Sequence, residues 1–211
     1  VSATRRRRGG KPLRRATATR PELRTVLVFC EGANSEPDYV TGLKRLPHVL
    51  RNTALNIEIH PEHGTPMTLV RMAAERRKDP EVDECWCLFD VEWPKHHPNL
   101  SEAVDLAKRA GVRLAISNPC FELWLILHHR DHTQFVDTGS AESESRRLDG
   151  RKGKTIDAAR YVPLRQAAAR RAELLERRHT KDGTRFPDDN PSSGMHLFLN
   201  AIEGGGAFSG R

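Results

Sequence analysis

The chain has 211 residues, 37% of them apolar and 30% charged, with a formal net charge of +7. That length suits one domain with appendages, and the apolar residues, gathered in the middle of the chain, suffice for an independent core. No apolar run approaches the ~18 residues that span a bilayer, and the first residues lack the apolar centre of a secretory signal, so a cytoplasmic protein without a membrane segment is expected. The basic balance favours a polyanionic partner, because neutralising phosphates releases their counterions.

Residues 1–23 hold Arg5, Arg6, Arg7, Arg8, Lys11, Arg14, Arg15 and Arg20, with Glu22 as the only acid. They read as a disordered basic arm, which serves equally well as a solubilising tail or a phosphate contact. Order is expected from residue 24. The run Thr25-Val26-Leu27-Val28-Phe29-Cys30 fits a strand buried on both faces. Glu31-Gly32 ends it. Ser35 is placed to cap a helix with Pro37 in its first turn, and Tyr39, Val40, Leu43 and Leu46 point inward. A second strand follows over 55–60, then a helix over 65–78.

The third strand covers 84–91 and ends in acids. A helix over 100–110 is closed by Gly111, a fourth strand covers 112–117, and an apolar helix runs from Pro119 to His128. Alternating strands and helices predict an α/β fold with a mainly parallel four-stranded sheet, Rossmann-like, flanked by helices. This core spans 24–130. Residues 131–157 read as a polar loop or lid. Residues 158–203 read as a C-terminal helical extension of the same domain, a cationic helix broken early by Pro163, then a last helix capped by Asn190-Pro191-Ser192-Ser193. The four cysteines, Cys30, Cys85, Cys87 and Cys120, lack the spacing of a zinc or redox site and are expected reduced in the core.

Acids stand where ligand sites form in such sheets, beyond the carboxyl ends of the strands. Glu31 follows the first strand. Asp90 and Glu92 close the third, two apart and therefore on one face if extended. Such a cluster calls for a hard divalent cation, Mg²⁺ or Mn²⁺, which can activate water beside a phosphodiester. The alternative is a set of surface acids. Glu122, flanked by apolar residues, is read as a partly buried functional acid. Asn118 orients a ligand or caps the helix, with capping favoured by spacing. The histidine pairs, His96-His97 and His128-His129, are weaker signals, and His128 is the one to watch. Phosphate contacts are expected from Arg165, Arg170, Arg171, Arg177 and Arg178 on the cationic helix.

Three stretches resemble the RloB-like family: 29–39, with Cys30-Glu31-Gly32, Ser35-Glu36 and Tyr39; 89–92, Phe89-Asp90-Val91-Glu92; and 117–128, Ser117-Asn118-Pro119-Cys120-Phe121-Glu122-Leu123-Trp124-Leu125 with His128. Asn190-Pro191-Ser192-Ser193 resembles its C-terminal signature. The resemblance implies a TOPRIM-like catalytic core, as in topoisomerases, primases and OLD-family nucleases. It gives Glu31 acid/base work and metal contact, and makes Asp90 and Glu92 a metal-binding pair, with Glu92 in place of the usual aspartate. Glu36 and Glu122 become candidates for a second metal or for holding the ligands.

The function so implied is a Mg²⁺-dependent endonuclease of a bacterial anti-phage system, acting on RNA, tRNA included, or on DNA. An ATPase would be its partner, and homo-oligomerisation is left open. The alternative is a non-catalytic subunit that binds nucleic acid or senses a partner.

Overall fold

The apolar run after the basic arm forms β1 (Arg24–Cys30) at the centre of the fold. The computed structural model describes residues 24–51 and 55–204; the expected N-terminal arm lies outside them. In chain order follow α1 (Ser35–Lys44), α2 (Pro47–Arg51), β2 (Leu55–Ile59), α3 (Pro66–Arg76), β3 (Glu84–Asp90), α4 (Leu100–Ala110), β4 (Arg113–Asn118) and α5 (Phe121–His129). Then come α6 (Thr138–Asp149), α7 (Ala158–Tyr161), a 3₁₀ turn (Val162–Leu164), α8 (Arg165–Asp182), β5 (Ser192–Ser193) and α9 (Met195–Glu203).

The sheet has five strands in the order β2-β1-β3-β4-β5, the first four parallel and β5 antiparallel to β4. Alternate residues of the central strands enter two separate cores. Val26, Val28, Cys30, Trp86 and Leu88 face α1, α5, α8 and α9. Leu27, Phe29, Cys85, Cys87 and Phe89 face α3 and α4. Burial on both faces is why these strands read as continuous apolar runs rather than alternating ones. All four cysteines are buried and unpaired.

Two expectations are corrected. The sheet has a fifth strand, because two serines carry no hydrophobic alternation. Ser117 pairs with Ser193 and Asn118 with Ser192, so the Asn190–Ser193 stretch extends the sheet, and Gly194 precedes α9. The segment 131–157 is not all loop. Asp137 caps α6 by accepting from the Ser140 amide at 2.8 Å, and Gly150 closes it at φ 74°. Its buried residues are Ala141, Ser145 and Asp149, too faint an apolar stripe to show in the sequence. The cationic helix is broken early by Pro163, as its sequence predicts, into α7, the 3₁₀ turn and α8.

Two capping expectations also change. Ser35 caps nothing; its hydroxyl donates to the Lys154 carbonyl at 2.7 Å. Asn118 ends β4, and its amide donates to Pro187 O at 2.8 Å and Asp189 Oδ1 at 2.9 Å, tying the C-terminal segment to the sheet. Gly111, by contrast, closes α4 in the left-handed conformation as expected.

Helix α1 lies close to α7 at Gly42, where a Cβ would fall 2.5 Å from Ala158 Cβ. Replacing a helical Gly by Ala ordinarily stabilises by about 1 kcal/mol. Here that gain loses to overpacking of about 1–3 kcal/mol. Gly42→Ala should therefore lower the urea midpoint without changing the slope of the transition.

Candidate functional site: an acidic cleft at the sheet edge

The carboxyl ends of β1 and β3 are neighbours, and the acids that follow them meet there. The Glu31 amide donates to Leu88 O at 3.0 Å, prolonging the ladder by one residue. The Glu31 carboxylate then leans across β3, where Oε2 accepts from the Asp90 amide at 2.9 Å. Glu31, Glu36, Asp90, Glu92 and Glu122 all line one cleft of about 180 Å³, together with Cys120, Thr138, Glu142 and Lys154.

Glu92 reaches the cleft by a route the strand pattern did not foresee. The third strand ends at Asp90, and Glu92 has φ 67°, so the pair is not held on one face by an extended backbone. The Val91 amide donates to Ser117 O at 3.0 Å and the Glu92 amide to Pro119 O at 2.8 Å. These bonds to the end of β4 and the residue beyond it offset a conformation that costs a non-glycine residue about 1 kcal/mol or more. Strain of this kind collects at functional sites.

Glu36 and Glu122 come from the first turns of α1 and α5 and are only 6% and 8% exposed. Glu36 Oε1 accepts from the Gly32 amide at 3.1 Å. A Cβ at Gly32 would lie 2.7 Å from Glu36 Oε2, so a side chain there would re-aim the carboxylate. Burial raises the Glu36 pKa against the pull of backbone N–H groups, and the charges of Glu122 and Glu31 add to the rise. Burial also lifts Asp90 well above the usual carboxylate range, reinforced by Glu36, Glu31, Glu122 and Glu92. The Cys120 thiol is pushed up by burial, with Asp90 and Glu122 adding to it, so it stays protonated and is no nucleophile.

The acids are not without basic partners, a feature the sequence did not reveal. His97 Nε2 lies 2.6 Å from Glu31 Oε1, an ion-pair contact rather than an aligned hydrogen bond. Glu31 is the main cause of the raised His97 pKa, opposed by burial. Arg151 Nη2 stands 3.6 Å from Glu122 Oε1, while its Nη1 bonds Asp149 at 2.6 Å. Asp149 is gripped in turn by the Tyr161 hydroxyl. His97 belongs to a histidine pair that is only a weak signal in the sequence; Arg151 gives no sequence signal at all.

Other expected site residues lie elsewhere. His128 is buried beneath α1. Its Nδ1–H donates to the Trp124 carbonyl at 2.8 Å, which leaves Nε2 to accept from the Tyr39 hydroxyl at 3.0 Å. Burial holds it neutral, with a pKa lowered to about 3, so it is a core group. Asn118 braces the 187–189 segment, as described above. No α8 residue lines the cleft among those described. Arg165 binds Glu203 at 2.6 Å, and Arg171 binds Asp131 at 2.8 Å and Leu127 O at 2.7 Å. Arg178 donates to Thr133 O at 2.9 Å, and Arg177 lies 4.0 Å from Glu173. Arg170 is exposed. A phosphate contact by Arg165 or Arg171 would break bonds that hold the fold.

The donors fit a hard divalent cation in chemistry: they are carboxylate oxygens, crowded enough to raise one another's pKa. Among the described residues, no three Asp, Glu, His or Cys side chains already form a ligand set. Binding would therefore re-aim side chains within the cleft.

These features define an α/β protein with a carboxylate-lined cleft at the C-terminal edge of a mainly parallel sheet. The sequence model of the RloB-like protein family matches residues 26–202, and the chain belongs to that family. No curated protein and no solved structure matches it.

The raised carboxyl pKa values fix a pH dependence. The folded state keeps protons on Asp90 and Glu36 that the unfolded chain has already released, so stability falls as pH rises from about 4. Without divalent metal, Asp90→Asn should raise the urea midpoint at pH 7, and the gain should vanish as pH falls to about 3.9. His97 works in the opposite sense. Its pairing stabilises the fold below the ordinary imidazole value and is lost as pH rises through the raised one.

Proposed function

We propose that this chain is a metal-dependent endonuclease with a TOPRIM-like core, acting on RNA or DNA in bacterial defence against phage. One observation carries the reading: six carboxylates from five separate segments line one cleft beyond the carboxyl ends of adjacent parallel strands. Membership of the RloB-like family supports the defence context, with the ATPase partner and cytoplasmic setting that go with it.

Glu31, Glu36, Asp90 and Glu92 would hold Mg²⁺ or Mn²⁺, which supplies charge neutralisation at the phosphate and a more acidic water. Glu31 accepts the proton of the water that attacks phosphorus, its orientation set by the Asp90 amide. His97, held protonated beside Glu31, donates a proton to the oxygen that leaves as the P–O bond breaks. Glu122 stands in the cleft wall with Arg151 beside it.

A second reading has one observation in its favour. The ligand set is not closed, and two of the acids already face cations. A non-catalytic subunit that binds nucleic acid or a partner would need no more than this.

Sequencing of RNA and DNA ends after incubation with Mg²⁺ or Mn²⁺ separates the two. Wild type should cut. Glu31→Gln and Asp90→Ala should lower the rate by about 10²–10⁴-fold while melting as folded proteins. Metal at 100 times its Kd should stabilise the wild type by about 2.7 kcal/mol, and Asp90→Ala by much less. If wild type cuts neither nucleic acid, alone or with its ATPase, the nuclease reading fails.

A further inference from the structure

Beside the acidic cleft stands a group of aromatic rings that the fold does not bury. Trp93 is 39% exposed and Phe135 58%, and their rings meet edge to face with centroids 5.3 Å apart. His96 packs against Trp93 at 5.4 Å. Trp86 and Trp124, the other tryptophans, are buried.

The rings stand on braced backbone. The Trp93 amide donates to Thr138 Oγ1 at 3.0 Å, and the Thr138 amide donates to Trp93 O at 3.3 Å. The loop carrying Phe135 is fixed through Asn190, which accepts from the Val136 amide at 3.1 Å and donates to Val136 O at 2.8 Å. Trp93 follows Glu92 in the chain, and both Glu92 and Thr138 line the cleft. The aromatic pair therefore opens off the rim of the acidic site.

We propose that Trp93 and Phe135 form a stacking platform for an unpaired nucleobase beside the phosphate handled in the cleft, which makes the substrate single-stranded or looped. The inference rests on the nuclease reading of the same cleft. The cleft is lined by acids, and aromatic faces beside it add an attraction for any base that does not depend on charge. Cations flank the rings and the cleft. Lys95 is exposed between Trp93 and His96, and Lys154 lines the cleft with its ammonium unpaired among the described residues. A base inside continuous duplex is stacked on both faces and is not free to occupy such a platform.

The test is titration of short RNA and DNA oligonucleotides, single-stranded or annealed to their complements, into the Glu31→Gln chain in Mg²⁺, read by tryptophan fluorescence. Single strands should quench Trp93 and bind about tenfold more tightly than duplex. Adding Trp93→Ala or Phe135→Ala should weaken single-strand binding about tenfold and leave duplex binding unchanged, whereas Trp93→Phe should retain most of it. Thermal melting confirms that each variant is folded. Undetectable single-strand binding, equal affinity for duplex, or unchanged binding by the alanine variants overturns the platform. So does a loss of oligomeric mass in those variants by light scattering, which would assign the rings to contacts between copies. If single strands bind through the rings but wild type never cuts, the nuclease fails and the platform stands. If wild type cuts and Trp93→Ala binds and cuts as well, the platform fails and the nuclease stands.

Discussion

The bond from the Asp90 amide to Glu31 joins the ends of two adjacent strands, and the geometry of the cleft depends on it. A carboxylate at the end of β1 would otherwise turn to solvent, away from the other acids. Held across β3, it adds its charge to that of Glu36, Glu92 and Glu122 around Asp90, whose pKa burial and these charges together raise. The sheet can hold this repulsion because its strands are buried on both faces and stiff. Their hydrophobic burial is large beside the cost of one strained acidic corner.

The other walls of the cleft come from chain far from the strands. Ser35 fastens the Lys154 carbonyl and Asp38 accepts from the Ile156 amide at 3.1 Å, so the segment after α6 is strapped onto the start of α1. The same segment carries Arg151, whose guanidinium is shared between Asp149 and Glu122. A charge buried at that depth is tolerated only with such partners. The segment after α6 thus encloses the cleft and brings a counter-charge to Glu122.

Much of this was legible in the sequence. The central strands announce themselves because both faces are apolar, and the acids stand at strand ends, where a parallel sheet places its ligand sites. Glu122 stood out as an acid in an apolar helix, and it is buried in the cleft wall. What escaped detection shares a physical character. The α6 helix buries Ala141, Ser145 and Asp149 and no large apolar residue, and β5 is two serines long. The left-handed turn at Glu92 leaves no mark on hydrophobic periodicity. His97 and Arg151 acquire their partners through tertiary structure, which spacing along the chain cannot express. Three arginines of α8, Arg165, Arg171 and Arg178, acquire partners in the same way, from the protein's own carbonyls and carboxylates.

The brief β5 strand has a consequence out of proportion to its length. An uncovered strand at the border of a sheet offers backbone groups on which another chain can grow, the first step of edge-to-edge aggregation. Ser192 and Ser193 pair with the final residues of β4, and the Gly194 amide takes the Ile116 carbonyl at 2.7 Å. A Cβ there would lie 3.1 Å from the Ile116 amide nitrogen, a tight contact that glycine avoids. A few small residues, brought back from near the end of the described chain, thereby guard that border against self-templating.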